Sequence, residues 1–265
     1  MKCYKIFCAA LFIAVWAAGV LPAQSTFKGM SLNGATGLYS IPTARIGWER
    51  SSFAEFGLNF GYHTIISEGR ANHLPKFSAS LFNMMEVHAA FDIQPDPRAN
   101  DFIAGMKFQL PVTMTAVAIG GNFQVINMGE SSRTNAGQIY IAVTYFGQMF
   151  NTLAETTVVL GRSFIEGDLN SNIDFGVGLD LLLLPRLFDN MVHWITDFAI
   201  FSYSVDAFGT DAWHRGVLNT GLRINLASVV PALSFFRFAA DVLLTDAFDE
   251  NRGFAVGLTF GVPLM

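Results

Sequence analysis

The chain has 265 residues, of which 52% are hydrophobic, 14% aromatic and 14% charged, and its formal net charge is −5. A soluble domain carries about 25% charged residues, so this chain has too few charges to solvate an ordinary protein surface. Its net acidity also excludes nucleic acid as an expected partner, because phosphate recognition requires clustered lysine and arginine.

The first 24 residues predict a secretory signal peptide. Lys2 and Lys5 precede the one long apolar stretch of the chain, and small residues near Ala23 follow it, which is the layout of a cleaved signal. A retained membrane anchor is the alternative. Both cysteines, Cys3 and Cys8, lie within these 24 residues, so cleavage is expected to leave no thiol or disulfide chemistry.

Residues 25–51 follow as a segment rich in glycine and turn-forming residues, without clean alternation of apolar and polar positions. Such a segment is not expected to be a membrane strand. We predict that it forms a strap or plug, which lies at the periplasmic mouth of a barrel or folds into its lumen.

Residues 52–265 predict a single all-β domain, an antiparallel transmembrane β-barrel of about twelve strands. Apolar residues alternate with small or polar ones, in segments close to the 9–11 residues with which a tilted strand crosses a bilayer. Ten or fourteen strands are alternative counts, and a soluble β-sandwich is the main competing fold. The predicted strands are 53–63, 73–82, 86–94, 101–110, 114–126, 137–147, 153–164, 171–183, 191–204, 215–227, 234–245 and 252–263.

The connections between these strands alternate in length. Those at 83–85, 111–113 and 148–151 are short, whereas those at 64–72 and 127–136 are longer and more polar. Short periplasmic turns and longer extracellular loops are typical of bacterial outer-membrane barrels, and an even strand number places both termini in the periplasm.

The last predicted strand, 252–263, has one face of large apolar residues and one of small residues. Its apolar face is expected to contact outer-membrane lipid, and its position at the C-terminus predicts recognition by the barrel-assembly machinery. The large side chains of this closing strand are Phe254, Val256, Leu258, Phe260 and Val262.

Charged and polar residues occupy the opposite strand face from the large apolar residues. An arginine or lysine facing lipid at the bilayer midplane costs about 2–4 kcal/mol, so the polar face should line the lumen. It forms either an ion-pair network that braces a narrow barrel, or a polar pathway or ligand site. The predicted luminal residues are Glu55, Asn59, His63, Lys76, Glu86, His88, Asp92, Lys107, Asp174, Asp180, Asp197, Arg223, Arg237 and Asp241.

The sequence gives little support for an enzyme. None of the five histidines has a serine two positions later, the arrangement of a barrel deacylase. Glu86, His88 and Asp92 share one strand face and could bind a metal or act in acid–base catalysis, but a luminal network also explains them. No phosphate loop, zinc-type spacing or dinucleotide fingerprint is present, so neither a cofactor nor a metal is expected.

One short motif in the N-terminal segment resembles a known family. The run from Gly34 to Arg45 is similar to the start of the YjbH-like family of outer-membrane proteins, in which glycines and a Pro-Thr-Ala step precede the barrel. Glycines permit turns with positive φ, and a proline keeps the preceding residue extended. The resemblance implies a role in the production or export of extracellular polysaccharide. The matching residues are Gly34, Gly37, Leu38, Pro42, Thr43 and Ala44.

We therefore expect an integral protein of the bacterial outer membrane. The first functional hypothesis is a non-enzymatic, porin-like channel or export component linked to envelope or extracellular polysaccharide, with residues 34–45 as strap or gate. The second is a structural or surface-interaction barrel with a plugged lumen and acidic loops at 96–101, 166–168 and 246–250. The third is a lipid-modifying barrel enzyme.

Overall fold

The structure is a computed structural model of the chain. It describes residues 28–47, 56–67, 69–96, 99–111, 115–128, 133–166, 168–169, 173–200, 216–228, 236–248 and 252–264. The predicted signal peptide and the predicted luminal residue Glu55 lie outside these ranges.

Twelve antiparallel strands of eight or more residues form one closed sheet within the described ranges. Each strand pairs with its neighbours in the sequence, and the last pairs with the first, so the sheet has no exposed edge. This confirms the predicted all-β, twelve-stranded barrel. The strands are β1 (Phe56–Ser67), β2 (Arg70–Leu81), β3 (Met85–Asp92), β4 (Asp101–Leu110), β5 (Thr115–Ile126), β6 (Thr134–Met149), β7 (Thr152–Ile165), β8 (Asp174–Leu182), β9 (Val192–Ile200), β10 (Val217–Asn225), β11 (Arg237–Thr245) and β12 (Gly253–Leu264).

The strand bounds agree with the prediction to within about three residues at most positions, and β4 agrees at both ends. The predicted long connection at 64–72 is wrong. Thr64 and Ile66 continue the alternation of β1 and pair with His73 and Ala71 of β2, so the polar residues at this end belong to the hairpin itself.

The two ends of the barrel differ in their connections. At the end where β1 begins and β12 ends, which we call the turn end, tight turns at Phe82–Asn83 and Phe150–Asn151 have all four φ angles between 53° and 62°. Tight hairpins require positive φ at their central residues, and asparagine tolerates it well. The opposite end, the loop end, carries the longer connections at 93–100 and 127–133.

The closing strand β12 shows how the two faces of the wall differ. Phe254, Val256 and Leu258 are about half exposed on the outward face, whereas Ala255 and Thr259 are buried on the inward face. The wall therefore presents large apolar side chains outward and small or polar side chains inward. None of the described residues belongs to a helix long and apolar enough to span a membrane.

Candidate functional site

Residues 28–47, which we call the luminal segment, fill the interior of the barrel. Almost all of its residues are buried, and Met30 and Ile41 are at most 1% exposed. The segment folds on itself: Leu32 N donates to Tyr39 O (2.8 Å), and Leu38 N donates to the carbonyl oxygen of Ile41 (3.0 Å). It is a compact loop, with a short ladder between Gly29–Met30 and Thr36–Gly37.

Two motif glycines meet backbone requirements of this loop. Gly34 has a φ of 88°, which is strained for any residue with a side chain, and a Cβ there would overlap the carbonyl oxygen of Ala89 in β3. Gly37 forms a β-bridge with Pro42, and a Cβ on Gly37 would lie 2.9 Å from the Pro42 Cα.

Glu86 of β3 is one anchor of the segment. Its carboxylate accepts hydrogen bonds from the Thr36 backbone N (2.7 Å), the Thr36 hydroxyl and the Gly47 backbone N (3.1 Å). Lys107 pairs with Glu86 (3.3 Å) and donates to the carbonyl oxygens of Thr36 (2.8 Å) and Thr43 (3.0 Å). One buried ion pair of the wall thus binds the segment through both donors and acceptors.

Asp197 of β9 is a second anchor. It accepts hydrogen bonds from the backbone N of Tyr39 (2.8 Å), the backbone N of Ser40 (2.7 Å) and the Ser40 hydroxyl (2.8 Å), and a fourth from the Asn219 side chain (2.9 Å). Burial, and then the nearby Asp197 carboxylate, raise the pKa of the Tyr39 phenol well above its ordinary value, so Tyr39 is neutral at physiological pH.

Arg223 of β10 forms a third anchor. Its Nε and one terminal nitrogen donate to the two oxygens of Asp241 (2.8 and 3.0 Å), and its other terminal nitrogen donates to Gly37 O (3.1 Å). The His63 Nε2 lies 3.3 Å from the same carboxylate. A bidentate arginine–carboxylate pair holds the guanidinium in a fixed plane and so aims the remaining donor at the segment.

The two ends of the segment converge on Glu155 of β7, near the turn end. Lys28 Nζ forms an ion pair with this carboxylate, and Arg45 Nε lies 3.8 Å from it. Lys76 Nζ donates to the carbonyl oxygens of residues 30 and 31 (3.2 and 3.0 Å). The chain therefore enters and leaves the lumen on the same side of the barrel.

A further set of predicted luminal residues bonds mainly within the wall. His88 Nε2 lies 2.9 Å from the Asn122 oxygen, the Asn122 amide donates to Gln138 (3.0 Å), and the Gln138 amide donates to Asp174 (2.8 Å). Asn33 of the segment joins this relay at Asn122 (3.3 Å). Other predicted luminal residues also point inward. Asp180 bonds to His193 (2.7 Å), Asp92 accepts a hydrogen bond from Gln94 (3.2 Å), and the Asn59 amide donates to Ser78 (3.1 Å). Arg237 is half-buried.

Sequence reasoning did not identify Glu155 or Asn219. In β7, Thr156 and Arg162 occupy the outward face while Glu155 and Ser163 occupy the inward face. Neither face is purely apolar, so alternation alone did not assign Glu155 to the lumen. The only sequence signal for it is the basic character of Lys28 and Arg45, which need an acidic partner when buried.

Wall glycines make room for apolar side chains of the segment. A Cβ on Gly176 would lie 2.6 Å from Ile41 Cγ2, one on Gly61 would lie 2.8 Å from Met30 Sδ, and one on Gly178 would overlap Leu38 Cδ1. The inner surface of the wall is therefore shaped to this particular loop.

The wall is also complementary to the segment in charge. Of the described residues, nine acidic side chains are buried, against four lysines and arginines, one of which is Arg45. The luminal segment carries Lys28 and Arg45 and no acidic residue. Its two cations thus offset part of an excess of carboxylates in the lumen.

Glu86, His88 and Asp92 do not form a shared site, because Glu86 bonds to the segment and His88 to Asn122. Among the described residues, no group of three or more His, Cys, Asp or Glu side chains could hold a metal ion. His63 has a carboxylate nearby, but it is fully buried rather than placed at a cleft.

No family model and no curated protein matches the chain. Among solved structures, the chain is similar to the NanC porin, with a TM-score of 0.50 and 9% identity over 78% of this chain and 100% of that one. It is also similar to the KdgM porin in complex with disordered oligogalacturonate, with a TM-score of 0.49 and 7% identity over 78% of this chain and 99% of that one. For the Acinetobacter baumannii outer membrane protein Omp33, the TM-score is 0.45 and the identity 11%, over 80% of this chain and 99% of that one. At these identities the likeness shows the fold alone, which is a closed β-barrel of the kind found in outer-membrane porins.

Proposed function

We propose that this protein is a non-enzymatic outer-membrane channel or export component whose lumen is closed, at rest, by the luminal segment. The observation that carries this proposal is that polar wall groups hold the segment. Glu86, Lys107, Asp197 and Arg223 bind it through hydrogen bonds and ion pairs. If the segment leaves, water can solvate these polar groups, which lowers the cost of opening the lumen.

The proposed cargo is an envelope or extracellular polysaccharide. Its support is the resemblance of residues 34–45 to the YjbH-like motif, and these residues lie at the centre of the buried loop. The excess of buried carboxylates in the wall favours a neutral or cationic polymer over a polyanion, since like charges in a narrow lumen repel.

The proposed arrangement places both termini in the periplasm after removal of a signal peptide at 1–24. Phe56 at the start of β1 and Leu264 at the end of β12 lie at the same end of the barrel, which supports this orientation. The outward side chains of β12 would contact lipid, and that strand would be recognised by the barrel-assembly machinery.

The test is ion conductance of the refolded protein in planar bilayers, with and without residues 25–51. We expect the intact protein to be closed or to open rarely, and the deletion variant to conduct steadily with cation selectivity in a salt gradient. The control is the point variant Asp180→Asn, which removes the charge of a wall carboxylate bonded to His193 (2.7 Å) and keeps the luminal segment in the chain. Transient block of the deletion variant by a neutral polysaccharide, and not by a polyanion, tests the cargo.

A structural or surface-interaction barrel is the second candidate. It is favoured by the fit between the luminal segment and the wall glycines at 61, 176 and 178, which a permanent plug would also show. A deletion variant that is folded, as judged by its heat-modifiable gel mobility, and yet silent in bilayers would refute the channel and leave this second role.

A further inference from the structure

An open groove lies on the outward face of the wall near the loop end, where β5, β6 and β7 are neighbours. Its volume of about 370 Å³ is at the lower end of the range of about 300–1,000 Å³ for small-molecule sites. The residues that line it are Phe123, Asn135, Ala136, Gly137, Phe164 and Glu166. None of these described residues is a lysine or an arginine, and Arg162, two residues before Phe164, already has an interaction partner within the protein.

Two aromatic side chains form the sides of the groove. The register of the three strands places Gly137 directly between Phe123 and Phe164. The Cα atoms of the two phenylalanines are therefore about 9–10 Å apart, which is twice the spacing of neighbouring strands. A Cβ on Gly137 would meet only the Asn122 carbonyl oxygen, at 3.8 Å. The floor of the groove is thus open, and one flat ring fits between the two side chains.

The groove lies on a part of the wall that extends past the neighbouring strand. Asp174, the first residue of β8, pairs with Gly161 of β7, and Phe164 is three residues further toward the loop end, which is about 10 Å along a strand. β6 has 16 residues and β7 has 14, more than the about 9–11 with which a tilted strand crosses a bilayer. The groove is therefore next to the water phase and not deep in the hydrocarbon.

The polar lining of the groove is at its loop-side edge. Asn135 and Glu166 are both exposed, and the Glu166 backbone N donates to the Asn135 carbonyl oxygen (2.8 Å), so the two side chains start from adjacent backbone. An amide and a carboxylate both bind hydroxyl groups, and the carboxylate repels anions. The groove thus combines two apolar ring faces with a hydrogen-bonding edge that carries one negative charge.

We propose that this groove binds one ring of a neutral oligosaccharide from the loop side, which is extracellular in the proposed orientation. The C–H groups on the two faces of a sugar ring pack against the electron-rich faces of Phe123 and Phe164, and its hydroxyls bond to Asn135 and Glu166. The carboxylate favours a neutral sugar over a uronic acid or a sugar phosphate. An acyl chain would contact the two rings and leave both polar side chains without a role. The site is on the outer wall, so the inference does not rest on opening of the lumen.

The test is saturation-transfer NMR on the full chain, refolded in lauryldimethylamine oxide because a maltoside detergent would itself carry the proposed ligand. The probes are maltotetraose, cellotetraose and chitotetraose, which are neutral, and tetragalacturonate, which has a carboxylate on every ring. Phe164→Ala removes one side of the groove, Gly137→Leu fills it, and Glu166→Gln removes its charge. Phe108→Ala is the matched control, because Phe108 is also on the outward face (45% exposed) but near the turn end.

We expect at least one neutral tetrasaccharide to receive saturation and to bind more tightly than tetragalacturonate. Phe164→Ala and Gly137→Leu should each weaken that binding about fivefold or more, because a ring contact or the space for the sugar is lost. Phe108→Ala should leave it unchanged. Glu166→Gln should narrow the difference between neutral and acidic sugars by about two- to fivefold, the usual size for a pair of exposed charges.

Heat-modifiable gel mobility shows whether each variant is folded. The proposal would be overturned by a lack of transfer to every neutral probe, by equal binding of the groove variants and the unchanged protein, by an equal loss in the control, or by an unchanged difference in Glu166→Gln. Binding of dodecyl maltoside without binding of maltotetraose would also overturn it, because the groove would then take a membrane-embedded glycolipid and not a soluble sugar.

Discussion

The anchor at Asp197 allows a quantitative prediction for release of the luminal segment. Asp197→Ala removes the acceptor of three hydrogen bonds from Tyr39 and Ser40, two of them from backbone N–H groups. A buried donor without a partner costs about 1–3 kcal/mol, so the two backbone groups alone weaken the bound segment by about 2–6 kcal/mol. That shifts the ratio of released to bound segment by a factor of about 30 to more than 10⁴.

Trypsin cleavage of the folded barrel reports this release. The side chains of Lys28 and Arg45 are each 8% exposed, so cleavage after them should be slow in the unchanged protein and rapid in the Asp197→Ala variant. Cleavage products are read by mass spectrometry, and gel mobility without heating shows that the barrel is intact. Arg70, which is exposed at the loop end, serves as an internal reference site.

The matched variant is Asp180→Ala, which removes a buried carboxylate whose bond is to His193 of the wall (2.7 Å). Protection of Lys28 and Arg45 should persist in it. If both variants are equally protected, Asp197 does not anchor the segment. If the unchanged protein is cleaved rapidly at both sites, the segment is not held in the lumen at all.

Two further predictions concern packing and pH. Gly178→Ala should lower the free energy of unfolding by about 1–3 kcal/mol, because its Cβ would overlap Leu38 and lie 2.9 Å from the Thr196 carbonyl oxygen. In denaturant titrations, the double variant with Leu38→Ala should lose less stability than the sum of the two single losses, and strict additivity would contradict the contact. Burial raises the pKa of Tyr39 above its ordinary value of 10.0, so above about pH 10 the bound segment retains the phenol proton that the released chain gives up. The free energy of unfolding should therefore fall as pH rises above about 10. Tyr39→Phe should reduce this fall, and an unchanged pH profile in that variant would contradict the prediction.

The barrel and its two faces follow from the amino-acid sequence alone. A strand has a side-chain period of two, and a wall in lipid must be apolar on one side while satisfying all of its backbone hydrogen bonds within the sheet. The alternation of Phe254 with Ala255, or of Leu222 with Arg223, therefore specifies which side chains face outward, and the structure shows both pairs in that arrangement. The same reasoning predicted a special role for the glycine-rich run at 34–45, because it does not alternate.

The wall groups that contact this run could not be predicted without the three-dimensional structure. Thr36 bonds to a carboxylate 50 residues away, and Tyr39 bonds to one 158 residues away. Several inward carboxylates, among them Asp174 and Asp180, were equally plausible partners in the sequence, but they bond within the wall instead. Which carboxylate binds the segment depends on how deep in the lumen each strand places its acidic residue, and on the path of a loop without periodicity. The side-chain period of a strand specifies neither of these, because it is the same whatever the register between neighbouring strands.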